Sequence, residues 1–562
     1  MATRTDIRRL HLCRHQHPRG SVLLLVLVVV AVLTLGTATY LELMQTERRA
    51  VRHHGRAAQA VRLAESGVEY VKTQLILTPA EILQEGGLLD NPTLFQAVLV
   101  DDQPDDFDRG RVTIIAPRVV DGYYSGIRYG LENESSKLNL NVLLATGAEQ
   151  KAASRLTALP GLDAATADAI LDWLDADDEP RADGAEVDYY SGLDPPYAPR
   201  NGPIANLDEL LQVRGVTPEL LYGYDQNRSL LVDGGEQARG LLTELDNSYG
   251  VLNRGWAAYL TVNSVEAMRG LDGAPLLDLN AAKLQQLYTD LGKVIDDDKA
   301  KFIIAYRQFG AQPATDAAQA GGGSTPQAGG NANAGQPTTR PGSTPSTGDP
   351  NNPQQNMQTV PAASLTLDFQ QEGGAQIASP LMLVGAKVQF TPAGENAQPQ
   401  LVESPWPDNA AGYRELLELY DAVAVSSSKR VAGRVNVNSA TRAVLRSIPD
   451  LPSGAADRIV AAREPDPDLI VSDQRHPVWL LIEGIVQLDA MKKIERYVTT
   501  RGDAYSGQSV GFFDAGSSAS RGEFVIDCSG QAPRMRAWRD LSALGRGFSP
   551  AQLGVEPVAE RR

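Results

Sequence analysis

Eight acidic residues stand between positions 172 and 188: Asp172, Asp175, Asp177, Asp178, Glu179, Asp183, Glu186 and Asp188. They face one base, Arg181. Carboxylates this crowded repel one another, and a hard cation relieves the repulsion; calcium takes roughly six to eight oxygen ligands. Pro180 and Gly184 permit a tight wrap. Asp175, Asp177, Glu186 and Asp188 are the candidate ligands, and a solvated acidic loop is the plainer account of the same composition. Other chemistry is sparse. Beyond residue 20 the histidines are His53, His54 and His476, none with zinc spacing. No glycine-rich phosphate loop precedes a helix, and nothing local argues for a nucleophile–base pair. The pattern is that of a protein without catalytic function.

Charge narrows the partners. The chain of 562 residues carries a formal net charge of −17. Residues 1–20 run against this, with Arg4, Arg8, Arg9, Arg14 and Arg19 against Asp6. An acidic body repels nucleic acid and anionic lipid. The two cysteines, Cys13 and Cys528, build no disulfide framework.

The elements that must carry this loop begin with an uncharged run, Ser21 to Leu41. At about 1.5 Å per helical residue it matches the ~30 Å core of a bilayer. The basic residues before it belong on the cytoplasmic side by the positive-inside bias, which places the chain beyond Leu41 outside the cytoplasm. No proline occurs between Pro18 and Pro79, so the helix continues. Its stripe is His54, Ala57, Val61, Ala64, Val68, Val71 and Leu75, spaced by threes and fours. Residues 111–117 and 126–131 read as strands, and 521–530 and 533–540 alternate in the same way. The latter pair is expected to return to the sheet begun by the former.

Three segments share an alternating apolar–Asn/Asp start: LNLNVLLA (138–145), LDLNAAKL (277–284) and VNVNSATR (435–442). Each leads into a helix, and two helices joined by a tight turn look like a helix-hairpin-helix unit. IANLDELLQVRGV (204–216) recurs as HPVWLLIEGIV (476–486) and more weakly as IASPLMLVGAKV (377–388), and YLTVNS (259–264) and YVTTRG (497–502) close units. Phosphate approaching these hairpins would meet Asp163, Asp296, Asp297, Asp298, Asp450 and Asp457 rather than lysines. Residues 311–363 are Gly, Pro, Ala, Gln, Asn, Ser and Thr with few charges, a composition expected to stay disordered.

A charged leader ending at Gly20, an apolar helix and an amphipathic extension together resemble the type IV pilin and pseudopilin class. Residues 156–223, with the acid-rich loop, the pair Tyr189–Tyr190 and the final L-x-x-V-x-G-V motif (Leu210 to Val216), are similar to the helical domain of K-type minor pseudopilins of type II (general) secretion. The resemblance implies cleavage after Gly20 by a prepilin peptidase and methylation of the new N-terminus, Ser21. Most class members carry a glutamate five residues into the mature chain; Leu25 stands there, as the K kind commonly has it. A carboxylate in lipid is costly unless paired, and a subunit at a filament tip has no neighbour beyond it to supply the partner. The resemblance also implies calcium in the helical domain.

The expected architecture is α+β. It comprises a leader (1–20), a transmembrane helix (21–41), an amphipathic spine (42–77) and a small pilin-like part with an antiparallel sheet (78–136). Helix-hairpin-helix, SAM-like repeats occupy 137–264, 276–310 continued at 364–426 beyond the 311–363 insertion, and 434–505; C-terminal strands come last, at 506–545. The expected partners are I- and J-like minor pseudopilins met through the stripe, the major pseudopilin, the prepilin peptidase, the inner-membrane assembly platform, the secretin and cargo, with no nucleic acid. The expected place is the inner membrane, single-pass, with a periplasmic body. The competing readings are a membrane-anchored DNA-uptake protein and a type IV pilus minor pilin.

Overall fold

The computed structural model describes residues 21–145, 149–231, 236, 254–270, 273–312, 358–369, 372–391, 398–466, 468–469, 471–515 and 518–555. The first element is one unbroken helix, Ser21–Gln74, of 54 residues. Its length, about 80 Å at helical rise, divides by environment. Every residue from Val22 to Leu43 is exposed. Thr34, Thr37 and Thr39 turn their hydroxyls back onto carbonyls three or four residues earlier, so these three donors are satisfied within the helix. The far end packs: Ala60, Leu63, Ala64, Val68 and Val71 are buried against a sheet.

Seven strands make that sheet. Its path runs Val98–Asp101, Gly110–Val120, Ala504–Phe513, Ala519–Asp527, Arg534–Asp540, with Tyr123–Tyr129 and Glu132–Asn133 paired alongside. All pairings are antiparallel. The sequence-read strands therefore share one sheet, and the central strand 504–513 joins their two sets. Helix and strand approach closely because each places a glycine against the other. A Cβ on Gly67 would lie 2.3 Å from Ser509 Oγ, and one on Gly511 would lie 2.4 Å from the Ala60 carbonyl oxygen. Ser509 Oγ donates to the Ala64 carbonyl at 2.7 Å, so the seam is hydrogen-bonded as well as packed.

Between Asn133 and Ala504 the chain leaves the sheet. Three short parallel pairs punctuate this excursion: Leu138–Asn139 with Leu260–Thr261, Leu277–Asp278 with Val423–Ala424, and Val435–Asn436 with Val498–Thr499. In each, the Asn or Asp accepts the backbone N–H two residues on. The side-chain amides of Asn141, Asn280 and Asn438 then donate to the carbonyls of Ile204, Ile377 and Gln474. The alternating apolar–Asn start is thus a clamp, tying each short strand to a segment about 40 to 100 residues downstream. One core gathers around Trp173, Tyr190 and Trp256. A second, around Trp406 and Trp479, spans Leu279 to Val498 and merges what the sequence separates into two units.

Two expectations need correction. The low-complexity insertion is shorter than 311–363. Residues 313–357 lie outside the described residues, but Gln358–Val360 pairs in parallel with Gln400–Val402 and Ala362 and Leu365 are buried. The backbone N–H of Gln312 likewise donates to Lys387. These edges order because a strand partner and a core are within reach. The stripe also differs from its expected use. His54 and Ala57 are exposed, Val61 and Leu75 half-buried, and Ala64, Val68 and Val71 are covered by the protein's own sheet, so these last three are not free to meet another spine.

Candidate cation site

The helix Ala164–Leu174 begins at Asp163, whose carboxylate accepts the Thr166 N–H at 2.8 Å. Ala167, Ile170, Leu171 and Leu174 turn into the core, and the same face carries Asp172, with 0% exposure. A buried carboxylate needs donors. Arg181 supplies them: its backbone N–H reaches the Asp172 carboxylate at 3.2 Å and its Nη1 at 2.6 Å. The same Nη1 also donates to Asp175 Oδ2. Gly184 presses against this pair; a Cβ there would lie 1.8 Å from Asp172 Oδ2.

The loop returns under control of Arg214. Its guanidinium donates to the carbonyls of Gly184 at 3.0 Å and Asp183 at 2.8 Å, and it lies 5.3 Å over the Tyr189 ring. Trp173 meets Tyr190 edge-on at 5.2 Å, and the Tyr190 hydroxyl accepts the Arg214 N–H. These contacts fix where Glu186 points. Glu186 occupies the N-cap of the short helix Val187–Ser191 yet makes no capping bond. It turns inward, 3% exposed, with both carboxylate oxygens unpartnered. Asp175 Oδ1 is buried and unpartnered too. One carboxylate oxygen from each of Asp172, Asp175 and Glu186 lies within 4.8 Å of the others.

Burial, then the neighbouring charges of Asp172 and Asp175, push the Glu186 carboxyl up to about 7. Burial also raises Asp175, against the pull of Arg181. Three carboxylates share one guanidinium, so the cluster retains negative charge and hard oxygen atoms. This donor set fits a hard divalent cation: the ligand type is right and orphaned, buried oxygens converge.

Of the four candidate ligands, Asp175 and Glu186 come together. Asp177 and Asp188 do not: both are exposed, and Asp177 Oδ1 instead accepts the Glu179 N–H in a turn. Asp172 was missed as a ligand because it sits within an apolar helical face, where an acid reads as a surface position. The signal was its i, i+3 spacing to Asp175, which puts both on one side of the helix end. Gly20 lies outside the described residues, and Ser21 is the first residue of the long helix.

Four of the hairpin acids are engaged within the protein. Asp163 caps its helix, Asp450 pairs with Lys151, Asp457 with Arg442, and Asp297 with Lys301. They present carboxylates, not cations, at the turns.

Comparison with known proteins places residues 136–225 in a match to the family model for type II secretion system (T2SS), protein K. A curated relative, type II secretion system protein K of Pectobacterium carotovorum subsp. carotovorum, is 33% identical over 104 residues, 17% of this chain and 29% of the relative. The matched stretch is thus less than a third of that relative's length. The family match contains the Asp172–Asp175–Glu186 cluster.

Proposed function

We propose that this chain, whose residues 136–225 match the type II secretion system protein K model, is a non-enzymatic minor pseudopilin that caps the tip of a pseudopilus, starts its assembly and aids export of folded proteins. The observation that carries the reading is the divided helix Ser21–Gln74. One half is apolar and exposed from Val22 to Leu43, and the other is built into the sheet. Exposed apolar surface on this scale needs lipid or other apolar helices around it. The first half holds the precursor in the inner membrane until the peptidase cuts after Gly20. It then packs among the corresponding helices of I- and J-like and major pseudopilins. The excursion 134–503 makes the head too wide to be stacked within a thin filament, which supports the tip.

Asp172, Asp175 and Glu186 would hold a calcium ion. Bound there, it would neutralise the converging carboxylates and tie the loop 176–185 to the helix Ala164–Leu174. A chelator is then expected to lower the melting temperature, and no shift would count against the ion. The DNA-uptake reading has no observation in its favour, since the hairpin turns are acidic.

Mass spectrometry of the mature N-terminus tests the main reading. The chain is expected to begin at methylated Ser21, and Gly20→Ala is expected to leave the precursor uncut. A mature protein that keeps its arginine-rich start, or loses residues 21–41, would refute it.

A further inference from the structure

We propose that Arg181 is a tethered competitor at the cation site: its guanidinium occupies the carboxylate cluster and must be displaced when a divalent cation binds. The inference rests on the cation reading above and adds a regulatory group to it.

Three observations carry it. First, a single nitrogen, Nη1, donates to both Asp172 Oδ1 and Asp175 Oδ2. It therefore stands between two of the three converging carboxylates, where a shared metal ion would have to stand. Second, the acids are held more firmly than the arginine. Asp172 is fully buried on a helix and against Gly184, and Glu186 is fixed by the helix that starts directly after it. Arg181 rises from a stretch, 176–180, that is exposed at every position, and its own side chain is 31% exposed. The more exposed partner is the cation, not the anions. Third, the Glu186 carboxylate accepts no hydrogen bond from Arg181 or from any other group among the described residues. One guanidinium satisfies two acids and leaves the third, 97% buried carboxylate unserved. A small divalent ion serves all three at once.

Charge repulsion makes the two occupants exclusive. A guanidinium and a divalent ion on the same two carboxylates meet at a few ångströms in a partly buried site, where like charges are strongly disfavoured. The backbone N–H of Arg181 reaches Asp172 independently of the side chain, so the loop stays anchored when the guanidinium swings out. Wild-type affinity is then the intrinsic affinity reduced by the cost of expelling the arginine, as for any site whose competent form is only partly populated. A cation bound this way reports concentration rather than staying permanently loaded.

Calcium titration by calorimetry of the full-length, detergent-solubilised chain tests this, comparing wild type with Arg181→Gln. The variant is expected to bind calcium at least tenfold more tightly. Its melting temperature is expected to fall below wild type in chelator and to reach it in saturating calcium. Equal or weaker binding by Arg181→Gln overturns the competitor role and leaves the cation site standing. No binding by either protein overturns the cation site itself. A measurement on the wild-type protein guards against a misfolded variant. Modification of Arg181 by an arginine-selective dicarbonyl, quantified by peptide mass spectrometry, is expected to rise severalfold on adding calcium. Unchanged or reduced modification would also overturn the displacement.

Discussion

Two acidic loops of this protein have similar charge and opposite physical character. The loop 101–108 carries Asp101, Asp102, Asp105, Asp106 and Asp108, all exposed. Arg109 bridges Asp102 and Asp106, and Arg56 pairs with Asp108 from the long helix. Asp101 accepts from the Gln103 side-chain amide and Asp105 from the Phe107 N–H, and all five carboxylates stay open to solvent. The loop 172–188 instead turns Asp172 and Glu186 into the protein and offers one guanidinium for three acids. The difference teaches that the number of acids does not make a cation site. Burial without enough donors does, because an unpaired carboxylate out of water costs far more than one at the surface.

Replacing Asp172 should expose the contrast most. Asp172→Ala removes a fully buried carboxylate and leaves the Arg181 guanidinium with Asp175 alone, and is expected to destabilise the body by about 2–3 kcal/mol in chelator and to abolish stabilisation by calcium in denaturant unfolding. Gly184→Ala comes next. The added Cβ must push the Asp172 carboxylate aside, at about 1–2 kcal/mol, with a weakened calcium response in thermal melts. Acidity gives a smaller effect with a definite sign. Glu186 is raised from 4.5 to about 7, so between those values the folded protein binds more protons than the unfolded chain, and stability falls as pH rises through that window. A cation removes this loss, so the calcium-induced gain in melting temperature is expected to be larger at pH 8 than at pH 5. The smallest effect belongs to the exposed loop. Asp105→Asn with Asp106→Asn should stay within about 0.5 kcal/mol of wild type and leave the calcium response intact. A lost response there would erase the distinction between the loops.

The long helix was legible to its last turns, because proline-free apolar periodicity survives any tertiary arrangement. Its buried face was read in part: Ala64, Val68 and Val71 pack as the stripe has them, but the face extends to one side of it. His54 and Ala57 continue the stripe in sequence, but the sheet ends before them; Ala60, Leu63 and Gly67 complete the packed face because the strand 504–513 meets them. That strand lies largely within the expected C-terminal strands, 506–545, but was not picked out individually. AYSGQSVGFF has glycines and serines where a strand pattern wants bulk, and they are there so a helix can lie close against it. Asp175 and Glu186 were visible as members of an acid-rich loop, whereas their convergence was not.

By itself the sequence determined what depends on local composition: a bilayer-length apolar helix, an acidic body, three Asn-marked segment starts and a loop with far more carboxylates than bases. Only the tertiary structure decided which face of the helix the sheet covers and which acids lose their water. Both choices turn on contacts between residues hundreds of positions apart, such as Ser509 with Ala64, or on the inward turn of one side chain, Glu186, which meets Asp172 and Asp175 in a loop that Arg214 holds through the Asp183 and Gly184 carbonyls.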